Sequence, residues 1–390
     1  MIIGSLTREK LIVLIFLCLG CFITSFNVAD IAASVPVISQ DLHISKFQVA
    51  KIIPFYLLPY GIGALFYAPL TRFISFRWVY IVTLLLYGVS CLICGLASNL
   101  EIMLAGRVMM GLSAAGSIPL GLMIIGESFE RKIRGRLVGI FFSHAFIASI
   151  IGLITGGIFS WRIIFFIPAV LSFLLALGNL IYKSDCLQKK HVGNINYLKT
   201  LEDKRILIIF LFIFALSFIY HGVHKWYGVY LSDIYKFDQL TINFFVILTV
   251  LSGMAGQLIG GVLSDRKGRR YTTKLGVAGL SLSIMMLFGV YPKSVLGAVL
   301  MSIALFWTIG HNGISTFITD FADEDRPAIA SLNSSVRFIS GGLGFMISKY
   351  FVEYSFRWTF LVFGLILSLL YFATSFTLPA AKATTRTNNI

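Results

Sequence analysis

Twelve long apolar runs follow one another along the chain, separated by short polar gaps. They cover roughly 11–35, 48–71, 77–97, 100–126, 135–158 and 161–182, then 206–231, 240–264, 273–291, 294–318, 328–351 and 357–378. About 20 predominantly apolar residues, coiled as a helix, cross the hydrocarbon of a bilayer. In lipid every backbone polar group needs a partner within its own segment, which predicts helices. A single connection is long, the polar stretch from Lys183 to Arg205. The pattern predicts an all-α membrane protein, with 12 transmembrane helices in two pseudo-symmetric six-helix bundles. Residues 1–182 form the N-terminal bundle, 183–205 a cytoplasmic linker, and 206–390 the C-terminal bundle with a short cytoplasmic tail.

Composition agrees. Of 390 residues, 57% are hydrophobic and 13% charged, more apolar surface than a soluble chain of this length can hide. The net charge is +15, a balance that can signal nucleic acid. Here the basic residues lie scattered in the short gaps and form no single patch, which argues against that partner. With the N-terminus inside, 22 of the 32 Lys and Arg residues fall on the inner side, seven on the outer side, and three within spans. That bias places both termini and the linker in the cytoplasm of a multi-pass inner-membrane protein. Arg8 and Lys10 before the first apolar run mimic a signal peptide, but no small-residue cleavage site follows, so the run reads as the first span. "CLGC" and "CLIC" (Cys18, Cys21, Cys91, Cys94) have metal-like spacing without charged or His neighbours, and they read as buried, inert thiols.

The halves repeat. A shift of 193 residues lays "APLTRFISFR" (68–77) on "GVLSDRKGRR" (261–270), Glu127 on Asp320, and His144 on Arg337. One constant offset across three spans indicates two related bundles.

On these residues the chain resembles the major facilitator superfamily. "GGVLSDRKGRR" (260–270) is similar to that family's loop signature between the second and third helix of each half. "AGRVMMGL" (105–112), "ERKIRGRLVG" (130–139) and "GGIFSWRIIF" (156–165) resemble other family segments. The first-half loop departs from the signature, with Arg72 in the acid's place and Ser75 replacing a glycine. "GLITGG" (152–157) lacks the proline of many exporters, having Leu153 there. The resemblance implies a cytoplasmic gate built from Gly261, Asp265, Arg266, Gly268, Arg269, Arg270 and Asp320, with Arg72 and Glu127 as its first-half counterpart. It also implies that the first, fourth, seventh and tenth helices line the cavity.

A charge at the centre of a span costs roughly 2.5–3.5 kcal/mol on insertion scales, so each needs a reason. Asp30 and Arg107 fall at the same depth of the first and fourth spans and are expected to pair. With His144 they are the proton-coupling candidates. His221, His224 and Lys225 share a face of the seventh span at i, i+3, i+4 spacing. Lys225 can instead snorkel to the surface, and Tyr220, Trp226, Tyr227 and Tyr230 can be interfacial belt or cavity wall. Trp307, His311 and Asn312 in the tenth span and Arg337 in the eleventh complete the substrate-cavity candidates. The four buried charges sum to +2, which favours an anionic solute.

The expected function is secondary active transport of a small organic solute, anionic or amphipathic, by alternating access with proton coupling. A multidrug exporter by proton antiport and a non-transporting receptor or scaffold are the alternatives. No nucleotide loop, metal cluster or nucleophile motif points to an enzyme, a catalytic residue, a metal or a cofactor. A monomer in the lipid bilayer is expected, with a small-molecule substrate, a proton or other coupling ion, and no nucleic acid.

Overall fold

The computed structural model describes residues 6–188, 195–318 and 326–377. Among them twelve long helical segments run in sequence: α1 (Arg8–Ala33), α2 (Lys46–Leu70), α3 (Phe76–Gly95), α4 (Leu100–Ser128), α5 (Lys132–Ile158), α6 (Ile163–Ile181), α7 (Lys204–Ile234), α8 (Gln239–Lys267), α9 (Arg269–Met286), α10 (Lys293–Phe317), α11 (Arg326–Val352) and α12 (Phe356–Thr374). Ten of these are individually long and apolar enough to cross a membrane. The other two, α9 and α11, have 18 and 27 residues, and even the shorter spans about 27 Å at 1.5 Å per residue. Arg269, Arg270 and Lys274 make α9 more polar, as Arg337 and Lys349 do α11.

Side-chain caps start several spans. The Asn99 side chain accepts from the Ile102 amide at 2.9 Å, and Asp238 accepts from Thr241 at 3.1 Å. Asp203 accepts from Arg205 at 2.8 Å ahead of α7. These contacts satisfy amides that a helix start leaves without partners. At the other polarity, the Arg77 guanidinium donates to the carbonyls of Asn179 and Leu180 at the end of α6, at 3.0 and 2.7 Å, where a cation meets the negative pole of the helix.

Packing repeats between the halves. In the first, α1 packs on α5, α2 on α4 and α3 on α6. In the second, α7 packs on α11, α8 on α10 and α9 on α12. Across the boundary α2 meets α11 and α5 meets α8, again a symmetric pair. The polar stretch 183–205 lies between α6 and α7 and holds a short helix, Tyr197–Glu202.

Four spans are interrupted. Regular helix gives way to turns at 26–29 in α1, 115–116 in α4 and 225–226 in α7, and to a 3-10 turn at 50–53 in α2. The α1 break is held against α5 by glycines. A Cβ on Gly152 would sit 1.9 Å from the Phe26 carbonyl oxygen, and one on Gly156 would sit 2.4 Å from the Asp30 carboxylate. Only hydrogen fits at these positions, the small-residue logic of close helix contact in a bilayer.

Candidate functional site

Two layers of polar residues cross the bundle. The first lies near the end opposite the "GGVLSDRKGRR" loop, called here the far end, and it stitches the halves together. The Lys46 ammonium bonds the Asp233 carboxylate and the Ser232 hydroxyl. Gln239 Nε2 donates to the Ala33 carbonyl at 3.2 Å and to Asn243 Oδ1 at 2.7 Å. Asn243 Nδ2 donates to Asp30 Oδ1 at 3.1 Å and to the Leu153 carbonyl at 2.7 Å. Lys225 Nζ donates to the Val28 carbonyl at 3.2 Å, in the α1 break.

Asp30 is fully buried in this layer. Its second oxygen accepts from the Ser34 hydroxyl at 3.0 Å. The carboxylate sits where helix resumes after the break, a position that suits negative charge. The sequence-based pairing with Arg107 does not form. Arg107, 1% exposed, donates to the Ile52 carbonyl at 3.0 Å, contacts Met110 Sδ at 2.9 Å, and lies over the Tyr56 ring at 4.3 Å. Equal depth on two helices does not fix how each is turned about its axis, and Arg107 points toward the start of α2. Lys225, at 6% exposure, is buried and does not snorkel to the surface. Neither cation has an acid beside it among the described residues, although the two lie within electrostatic reach of each other.

The second layer is an aromatic and imidazole stack on α7 and α10. The Tyr220 and Trp307 rings stack at 4.0 Å and 1°, and Tyr220 stacks on His224 at 5.0 Å. His221 meets Trp307 edge-on at 5.7 Å, and His311 meets it at 5.3 Å. His221 Nδ1 bonds to Ser217, whose hydroxyl donates to the Arg337 carbonyl at 3.0 Å. Arg337 lies within electrostatic reach of Tyr60, Tyr220 and His311, and Tyr60 stacks on Phe338 at 3.7 Å across the half boundary. Three buried polar atoms here have no protein partner: His224 Nδ1, Tyr227 Oη and Arg337 Nε. Tyr220, Trp226, Tyr227 and Tyr230 are all buried, so they are walls and core, not an interfacial belt.

The structure thus gathers His221, His224, Trp307, His311 and Arg337, with Lys225 at the edge. Asn312 is not among them. Its amide donates to the Gln257 carbonyl of α8 at 2.9 Å, one residue after His311 and therefore on another face of α10. His144 also stands apart, its Nδ1 bonded to the Ile140 carbonyl of its own helix at 2.8 Å.

At the other end, Gly268 joins α8 to α9 with φ 85° and ψ 156°, a region open essentially to glycine alone. A Cβ on Gly260 would lie 3.0 Å from Ile309 Cα, so α8 and α10 nearly touch, and Gly261 faces Asn312. Asp265, Arg266 and Lys267 are exposed, whereas Arg269 and Arg270 are half-buried. Asp265 and Arg269 interact electrostatically. Arg72 and Glu127 are exposed at the same end. Asp320 lies outside the described residues.

Asn243, Gln239, Lys46 and Asp233 are the residues that sequence reasoning missed. The two amides carry no charge to draw notice, and the ion pair lies at the far-end termini of α2 and α7, in stretches that read as ordinary polar gaps.

A family model described as Major Facilitator Superfamily matches residues 15–345. The riboflavin transporter RibZ of Clostridioides difficile (strain 630) is 25% identical over 164 residues, which is 41% of this chain and 36% of that protein. The efflux pump bfoC of Aspergillus brasiliensis is 32% identical over 169 residues, 42% of this chain and 30% of that protein. The matches therefore span about a third of the length of these relatives. Among solved structures, an inward-facing, unoccupied bacterial homolog of the human lysosomal transporter Spinster superposes with a TM-score of 0.76 at 16% identity, covering 96% of this chain and 98% of that one. The nucleoside transporter NupG, as a mutant, superposes at 0.75 with 14% identity over 94% and 100%. At such identities the likeness carries the fold alone.

Proposed function

Because the chain belongs to the Major Facilitator Superfamily, we propose that it is a secondary active transporter that moves a small organic anion with an aromatic part, coupled to protons, by alternating access. The observation that carries this reading is the pairing of a planar aromatic stack with interior cations that have no acid beside them among the described residues. Tyr220 stacks with Trp307 and with His224, and an aromatic solute ring takes the place of one of these partners; such stacking adds about 0.5–1.5 kcal/mol beyond area burial. Lys225 and Arg107, both buried, and Arg337, half-buried, supply positive charge in the interior. Buried charge without a counter-ion is costly, and a solute carboxylate relieves that cost.

Asp30 is the proposed proton-coupling group. It is the one acid placed well inside a span, and intramembrane carboxylates commonly serve proton relays. It also lies in the layer that ties the halves together, so its protonation bears on a contact that alternating access must break. The charge bias orients the basic end and both termini toward the cytoplasm of the cell membrane, with the far end outside. The loop residues Asp265 to Arg270, with Asp320, form the inner gate. Export of amphipathic compounds is a second reading, favoured by the matched efflux pump.

Proteoliposomes test the proposal directly. A screen of aromatic carboxylates, their neutral amides, and riboflavin under an imposed pH gradient should show accumulation of acids over amides. Equal handling of acids and amides contradicts the anionic assignment, and indifference to the gradient contradicts the coupling.

A further inference from the structure

A cavity of about 530 Å³ opens at the far end between the segment after α1, the α5–α6 connection and the start of α8. Its wall includes Asp41, His43, Gly156, Gly157, Ser160 and Gln239. Two features lead from it to Asp30. Gly156 borders the cavity, and a Cβ there would lie 2.4–2.5 Å from both carboxylate oxygens, so the carboxylate packs directly against the cavity wall. Gln239 also borders it and hydrogen-bonds Asn243, which in turn bonds Asp30. Gln239 Oε1 is buried without a protein partner, an acceptor suited to water.

We infer that this cavity is a proton-access vestibule, by which the far-side solution reaches Asp30 along a route separate from the solute pathway. The inference rests on the reading of Asp30 as the coupling group. The far end is stitched shut by Lys46 and Asp233, yet the cavity runs beside that closure, not through it. Around the carboxylate stand Ser34 just after α1, Gly156 and the Leu153 carbonyl on α5, and Asn243 on α8. The Lys225 ammonium on α7 sits at the Val28 carbonyl, two residues before Asp30. Asp41 at the rim is held by Arg162 at 2.8 Å and by Trp161 at 3.3 Å, and His43 is the other titratable rim group. The cations nearest the route are both engaged, Lys225 by the Val28 carbonyl and Arg162 by Asp41. Gly157 and Gln239 are positioning residues in this account: one leaves the vestibule open, the other links it to Asn243.

The test holds the far end shut and asks whether solvent still reaches Asp30. Lys46→Cys and Asp233→Cys, bridged by a short bis-maleimide in proteoliposomes, fix the closure; the five native cysteines are all buried. A membrane-impermeant carbodiimide with an amine is then added on the far face, and modification of Asp30 is read by peptide mass mapping, with Asp238 as the exposed reference. The inference expects Asp30 to be modified in the bridged protein, and that modification to be lost when Gly157→Leu or Ser160→Trp fills the cavity. Ser160 is exposed, so its variant tests the route even where Gly157→Leu fails to fold. Loss of Asp30 modification on bridging alone, or modification unchanged in the filled variants, overturns the separate route. Transport is not the readout. A chain modified as expected but indifferent to a pH gradient overturns the role of Asp30 and leaves the route standing.

Discussion

Burial and partners decide what each charged side chain can do. Lys225 and Arg107 are held by two carbonyls, a thioether and a tyrosine face, with no acid among the described residues. Replacing either with Gln removes a buried charge that no counter-ion compensates. Lys225→Gln and Arg107→Gln should therefore keep or raise thermal stability while weakening binding of an aromatic carboxylate, by about 1.5–3 kcal/mol for a lost hydrogen bond to a charged group. Scintillation-proximity binding with the acid and its amide checks this; equal loss for both ligands contradicts it. The sequence placed these charges within the spans but not at the right azimuth. Asp30 meets Asn243 and not Arg107 because rotation about the helix axis, and the break at 26–29, are fixed by packing against α5 and α8. Asn312 was misjudged for the same reason, since its neighbour His311 looks into the aromatic stack while it looks at α8.

At the level of the helix, glycines set how close neighbours come. Gly152 has no room for a methyl, with the Phe26 carbonyl 1.9 Å from the Cβ position, whereas at Gly126 nothing lies within 4 Å. Gly152→Ala should sharply lower the yield of folded protein in detergent, and Gly126→Ala should leave it unchanged or raised. Size-exclusion profiles of the two compare them directly. Gly268→Ala forces a Cβ into a conformation that costs on the order of 1–3 kcal/mol, and its thermal inactivation midpoint should fall. The first-half loop offers a subtler case. Arg72 stands where an acid is usual in the family, and Glu127 keeps the position equivalent to Asp320. A double-mutant cycle on the pair should show coupling of about 0.5–3 kcal/mol in transport or stability, and additivity contradicts a direct link. Span positions were legible because twelve apolar runs leave few ways to cross a bilayer. The interruptions in α1 and α7 were not, because no proline follows either within a turn, whereas Pro119, one turn past the α4 break, was a cue left unused.

For the whole molecule, two halves whose cross-boundary hydrogen bonds gather at one end imply a second arrangement in which that end opens. The described hydrogen bonds between helices of opposite halves cluster in the far-end layer. Lys46→Asp should shift the population toward a far-end-open state, and adding Asp233→Lys should restore closure. Spin-label distances between α2 and α8 at the far end read that shift, and unchanged distances contradict a closing role for the pair. The gradient-driven step is the heart of the account, and Asp30 is its pivot. One measurement tests it most directly: accumulation of the best aromatic acid in proteoliposomes under an imposed pH gradient, native chain against Asp30→Asn, with downhill exchange followed in parallel. The account predicts that Asp30→Asn abolishes accumulation while exchange persists. Accumulation against the gradient by Asp30→Asn, with the pH dependence of the native chain, contradicts it.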